Sequence, residues 1–209
     1  MATINHIFDS GQGKLGNLVL YKVNGQGRVR TRAEHFNDRR SPAQLAQRQR
    51  MQAVNSFLKP FRDLIRITYA AEAGGSSAVH AARAYHMRHA LTGEYPDISV
   101  DKGRALLSRG PLPVSLNAKV SVQEEGLLIE WENCPEDERE HAHDTLVVVA
   151  LFTEKGRAGY HFTDTRRTCG SYVLKPARMQ GNADVWISFR KRDQTLMSNS
   201  MYLGNLDLH

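Results

Sequence analysis

Long apolar runs are missing from this chain of 209 residues. No stretch approaches the roughly 18 consecutive apolar residues that cross a bilayer as a helix, so no membrane span is expected. Cysteine is nearly missing too. Cys134 and Cys169 stand far apart with no CxxC partner, which reads as two reduced thiols in a protein made in the cytosol, paired only if the protein works outside the cell. The opening MATINHIFDSGQGK lacks the basic and apolar regions of a secretory signal. Cytoplasmic synthesis without a signal peptide is the expectation, with incorporation into a virion or extracellular assembly left open.

Catalytic constellations are equally scarce. Gly11-x-Gly13-Lys14-x-Gly16 fits neither GxxxxGK[ST] nor GxGxxG, and it precedes a strand rather than a helix whose N-terminus would receive a phosphate. These glycines read instead as sites of close backbone packing or a bulge. Tyr160, His161, Asp164 and Ser171 have no nucleophile-elbow or triad spacing. His86 and His89, at i, i+3, and His141 and His143, in an HxH, are the two pairs a metal could use; neither has an identifiable third ligand. No enzyme, no cofactor and no metal is expected. A metal-dependent enzyme using His141 and His143 stays as the least favoured reading.

What is present is ordinary bulk and uneven charge. The chain is 41% hydrophobic and 24% charged, with a net charge of +6, as a globular protein of one large or two small domains would be. From Lys14 to Arg66 it carries twelve Lys and Arg against Glu34, Asp38 and Asp63, a local charge of +9, which leaves the remainder at −3. Within that stretch Leu18–Val23 alternates as a strand, Asn24-Gly25 is a strong hairpin signal, and Arg28, Arg30 and Arg32 line one face of the return strand. Like charges at i, i+2 repel unless a counter-charge lies opposite. The ribbon therefore reads as anion-facing, or as the solvated side of a small sheet. Residues 1–10 read as an arm or edge strand.

Ser41-Pro42 is a helix start. Val54, Phe57, Leu58, Phe61, Leu64 and Ile65 make its apolar stripe, with Gln44, Arg48, Asn55, Arg62 and Arg66 opposite and a break expected at Pro60. Ser76 or Ser77 caps a second, surface helix that ends near Leu91. Residues 98–107 are expected to cross back as a strand, and Gly110-Pro111-Leu112-Pro113 to be a linker. From Asn117 the texture becomes about seven short alternating strands, centred on 118–122, 127–131, 146–152, 160–162, 172–174, 185–189 and 197–203. The expected fold is an α+β N-terminal module (β-hairpin plus two helices, residues 1–112) followed by an all-β immunoglobulin/fibronectin III-like sandwich, residues 113–209.

Two resemblances bear on this. Trp131 at the end of the second strand, followed by a long third strand, resembles the fibronectin type III pattern, although Val185 and Trp186 stand where the sixth strand usually carries a tyrosine. Gly13-Lys14-x-Gly16-Asn17, Tyr21-Lys22-x-x-Gly25, Arg30, Ser41-Pro42-x-Gln44-x-x-x-Arg48, Tyr95-Pro96-Asp97 and Ser198-x-Ser200-x-Tyr202-Leu203-Gly204 together resemble an uncharacterised bacterial family of proteins of about this length, a domain of unknown function. That resemblance covers nearly the whole chain and implies no catalytic residue. Ser-Pro-Ala-Gln with a nearby Arg also looks like segments of phage-encoded proteins. The expectation is a non-enzymatic structural or adaptor protein that docks into a larger assembly, phage-like or of a surface apparatus. Its partner would be a protein with an acidic surface, or a further copy of itself, met by Lys14, Lys22, Arg28, Arg30, Arg32, Arg39, Arg40 and Arg48. The alternative is nucleic-acid binding by the same arginines. Tyr21 and Phe36 are too few to make a stacking platform for single strands.

Overall fold

The computed structural model describes residues 2–3, 12–23, 25–33, 38–133, 140–175 and 181–208. The chain divides into two compact units, Met1–Ser41 and Pro42–His209. Each is taken by itself.

In the first unit, β1 (Ala2–Thr3), β2 (Gly13–Leu15), β3 (Leu18–Val23) and β4 (Gln26–Thr31) form one sheet in the order β1-β4-β3-β2, antiparallel throughout. The expected hairpin closes with Val23 opposite Gln26. Gly25 holds φ +80° there, and Asn24 lies outside the described residues. A second tight turn joins Leu15 to Leu18, with Gly16 at φ +59°. A Cβ at Gly13 or Gly16 would meet nothing within 4 Å. These glycines therefore serve positive φ, not the close packing read from the sequence; Gly11 lies outside the described residues. No residue of β2, β3 or β4 is buried.

The second unit opens with α1 (Pro42–Leu58), then a 3-10 turn (Lys59–Phe61) and α2 (Arg62–Thr68). The interruption is where Pro60 removes a helical donor. The helix α3 (Ala78–His89) starts at Ser77, whose hydroxyl accepts the His80 backbone N–H at 3.3 Å. The short strands β5 (Leu91–Thr92) and β6 (Ser99–Val100) pair with each other. The strand expected over 98–107 stops at Val100, because the Asp101 carboxylate accepts the Gly103 N–H at 2.9 Å and its carbonyl accepts from Arg104, curling the chain into a turn.

Seven strands follow: β7 (Leu116–Gln123), β8 (Gly126–Glu132), β9 (Thr145–Phe152), β10 (Arg157–Arg166), β11 (Ser171–Leu174), β12 (Gly181–Arg190) and β13 (Met201–Leu208). They make a four-stranded sheet, β10-β9-β12-β13, and a three-stranded sheet, β11-β8-β7. One apolar cluster joins the two sheets: Leu127, Ile129 and Trp131 of β8 meet Leu146 and Val148 of β9 and Val185, Ile187 and Phe189 of β12. A second cluster lies on the other face of the four-stranded sheet, where Val147, Val149 and Trp186 meet Val54, Phe61, Leu64 and Ile65 of the helical segment. With both faces covered, β9 reads as a nearly unbroken apolar run, while β12 alternates in sequence yet buries Asp184 and Ser188 as well.

This packing sets the division of the chain. The unit boundary falls at Ser41, whereas the sequence reading divides the chain at 112 and treats Gly110–Pro113 as a linker. That segment is packed. Leu112 is buried and donates its N–H to the Met197 carbonyl at 3.2 Å, and a Cβ on Gly110 would collide with the same carbonyl. Buried serines fasten the neighbourhood: Leu107 N–H donates to Ser200 Oγ at 2.8 Å, Ser108 Oγ to the Ser198 carbonyl at 2.8 Å, and Phe189 N–H to Ser198 Oγ at 2.8 Å.

Candidate functional site

Strand register decides which cations share a surface, because residues paired across a ladder point to the same side. In the first unit Arg28 pairs with Tyr21, Arg30 with Val19, and Val19 with Lys14. Arg28, Arg30 and Lys14 therefore stand on one face of the ribbon, with Tyr21 between them. The Arg30 guanidinium lies 5.9 Å from the centre of the Tyr21 ring, a cation–π contact. Arg32, two residues on, continues the row, and its N–H donates to the Asn17 carbonyl at 2.7 Å. Lys22 pairs with Gly27 and belongs to the opposite face, with Leu18, Leu20 and Val29.

The other expected site residues sit apart from that row. Arg39 is exposed. Arg40, at φ +46°, is paired to Asp38 at 3.7 Å and donates its backbone N–H to the same carboxylate. Arg48 belongs to the second unit, on the exposed side of α1. Arg28 and Arg48 are engaged within the molecule. Lys14, Lys22, Arg30, Arg32 and Arg39 have no carboxylate within ion-pair distance among the described residues.

The histidine pairs separate. His86 is fully buried; its Nδ1–H donates to the Ala82 carbonyl at 2.7 Å, and its ring packs 5.7 Å from Phe57. Burial pushes its pKa below the ordinary histidine value, against the opposing pull of that hydrogen bond. His89 is exposed. The sequence reading of α3 as a surface helix thus fails at His86, whose side chain faces the core. His141 Nδ1 lies 3.2 Å from Asp144 Oδ2, and His143 is exposed. Burial raises the Asp144 pKa; His141 and Arg167, 4.0 Å away, oppose it. Among the described residues no three His, Cys, Asp or Glu gather as a metal site requires. Phe36 and residues 134–139, Cys134 among them, lie outside the described residues, and Cys169 is an exposed thiol.

The sequence reading missed a second basic cluster, Arg166, Arg190 and Arg192, around one cavity of the second unit. Its members lie on two strands and a following turn, where Arg166-Arg167 and the run Arg190-Lys191-Arg192 stand in the sequence. Pairing of both strands with β9 brings Arg166 to that run.

These features define a class: a β-rich protein with one long helix and several sheets, in which no described helix is long and apolar enough to cross a membrane. The chain belongs to the family of unknown function DUF6266, whose match spans residues 10–204. No curated protein matches it. Several residues that carry the resemblance do structural work. Ser198 and Ser200 accept backbone N–H groups, the Tyr202 hydroxyl donates to Asp184 at 2.7 Å, and Gln49 donates to the carbonyl of Pro96.

Proposed function

We propose that this chain is a non-enzymatic adaptor that docks onto an acidic protein surface of a larger assembly, phage-like or of a surface apparatus, through the cationic face of its N-terminal ribbon. The observation that carries this is the shared orientation of Lys14, Arg28 and Arg30 on a sheet with no buried residue in β2 to β4. A sheet that buries no side chain among the described residues of these strands leaves its faces to a partner's surface. Guanidiniums such as those of Arg30 and Arg32 favour carboxylate-rich surfaces. In this reading the two-sheet layer is a fibronectin type III-like sandwich acting as a spacer. Its seven strands split three and four, and the fourth, β10, pairs with the third; a constant-type immunoglobulin domain places its fourth strand in the other sheet.

The test is replacement of Arg28, Arg30 and Arg32 by Glu in the producing cell, followed by size fractionation of the native extract. The variant is expected to leave the high-mass fraction while Lys22→Glu, on the opposite face, stays in it. Equal retention of both variants would sink the reading, as would turnover of a substrate lost on mutating a single His or Asp.

The arginine row of β4 also favours nucleic acid as a second reading, because guanidiniums spaced along one face can meet successive phosphates. There each Arg→Ala change that removes a phosphate partner lowers the log–log salt slope for duplex binding by about 0.9. An unchanged slope removes it.

A further inference from the structure

The cavity lies where the four-stranded sheet ends, on the face that the helices cover further along. Thr145 opens β9 and pairs with Arg166 of β10 on one side and Arg190 of β12 on the other. The three therefore stand in one row across the sheet and point the same way. Neighbouring strands lie about 4.8 Å apart, so the two arginine Cα atoms are about 10 Å apart, and both arginines line the cavity with Thr145 between them. Arg192 and His143 complete the rim, and Asp164 is the only carboxylate among the lining residues. The volume is about 350 Å³, within the range of small-ligand sites.

Two features set this cluster apart from a solvated basic patch. None of the three guanidiniums has a carboxylate within ion-pair distance among the described residues, Asp164 included. Arg190 is held in place: its guanidinium lies 4.9 Å from the centre of the Phe162 ring, and its buried Nε meets no acceptor among the described residues. Burial disfavours its charged form. A buried, unmet donor on a cation calls for an acceptor. Converging like charges repel until an anion separates them.

We propose that the cavity bounded by Arg166, Thr145, Arg190, Arg192 and His143 is a phosphate-binding site for free phosphate or a small phosphorylated molecule. Guanidinium forks fit carboxylate and phosphate alike, and charge selects between them. Three arginines against Asp164 leave two positive charges, which a phosphate dianion neutralises and a single carboxylate does not. The site belongs wholly to the second unit and is independent of the ribbon.

Isothermal titration of the full chain tests this with inorganic phosphate, ribose 5-phosphate and acetate as probes. Saturable binding of one phosphate per chain is expected, with acetate at least tenfold weaker. Tighter binding of ribose 5-phosphate than of phosphate identifies a phosphorylated molecule as the ligand; the reverse identifies the free ion. Arg190→Gln and Arg166→Gln should each weaken binding by about tenfold or more, as loss of a charge-assisted hydrogen bond does. Arg166 is exposed, so its variant decides the matter if Arg190→Gln does not fold. Arg88→Gln, at an exposed position of α3 outside the cavity and the ribbon, should leave binding unchanged. Absence of saturation, equal binding of acetate, or equal weakening by Arg88→Gln would overturn the assignment.

Discussion

The ribbon of the first unit and the central strands of the second are built from the same secondary structure and put to opposite uses. In Leu18–Val23 and Gln26–Thr31 no side chain is buried, and apolar and cationic residues alternate so that each face carries something a partner could read. In β9 and β12 most residues are buried, because helices close one face and a second sheet closes the other. Strand geometry is common to both. Coverage separates a sheet that stabilises the chain from one that presents a surface.

Truncating one residue of each kind tests whether coverage is what separates the two sheets. Trp186 is fully buried, with ring centres 5.0 Å from Tyr202, 5.9 Å from Phe61 and 6.3 Å from Phe57. Trp186→Ala should cost about 3–5 kcal/mol of unfolding free energy in urea. Leu18, 41% exposed on the ribbon, should cost less than about 0.5 kcal/mol on the same change. Comparable losses at both sites would mean that the ribbon is a core element after all.

A smaller effect sharpens the account of how the second unit is held. The fully buried Asp184 carboxylate accepts from Lys102 Nζ at 2.6 Å, Tyr202 Oη at 2.7 Å and Asn205 Nδ2 at 3.2 Å. The Lys102 side chain is 37% exposed and can turn to water when its partner is removed. Asp184→Ala should therefore cost about 2–3 kcal/mol, the range for hydrogen bonds to a charged group, rather than the larger penalty of stranding a buried ion. Urea unfolding of Asp184→Ala with and without Lys102→Met separates the two, since a stranded lysine would be rescued by the second change.

Much of this was legible in the sequence. Six of the seven strands after residue 115, the Ser41-Pro42 helix start, the break at Pro60 and the tight turn at Gly25 follow from alternation, capping and missing donors, all local properties; the seventh, expected over 197–203, runs instead over Met201–Leu208. What was not legible is what covers what. Trp186, Asp184 and Ser188 alternate with Val185, Ile187 and Phe189 along β12 as a half-solvated strand would, yet Asp184 and Ser188 are buried. Nothing in β12 announces that helices from residues 42–68 lie over it. Gly110–Pro113 has the composition of a linker, and only the approach of Met197 makes it a packed seam. The ribbon's arginine row was legible by period two, but the separation of Lys22 from it required the register. The run Arg190-Lys191-Arg192 stands in the sequence, but its union with Arg166 depends on pairing through Thr145 of β9, which no local pattern records.

The smallest effect concerns pH, and it too turns on coverage. His86 is buried under the helical segment, and its pKa lies below the ordinary value of about 6.5 because burial disfavours the charged ring. Above that value neither the folded nor the unfolded chain holds the proton, and His86 contributes no pH dependence. As pH falls below it, the unfolded chain binds a proton that the folded chain refuses, so stability declines by up to about 1.4 kcal/mol per pH unit until the folded pKa is reached. Asp144, whose pKa is raised by burial, acts with the opposite sign, losing stability as pH rises from the unfolded carboxylate value towards its folded one. Comparing wild type with His86→Leu isolates the histidine: between about pH 5 and pH 6.5 the variant should show the flatter dependence of stability on pH. His89→Leu, on the exposed side of the same helix, supplies the control for replacing a histidine there. Identical slopes for all three proteins would mean that water reaches His86 in the folded state, and that the helical cover over this part of the sheet opens readily.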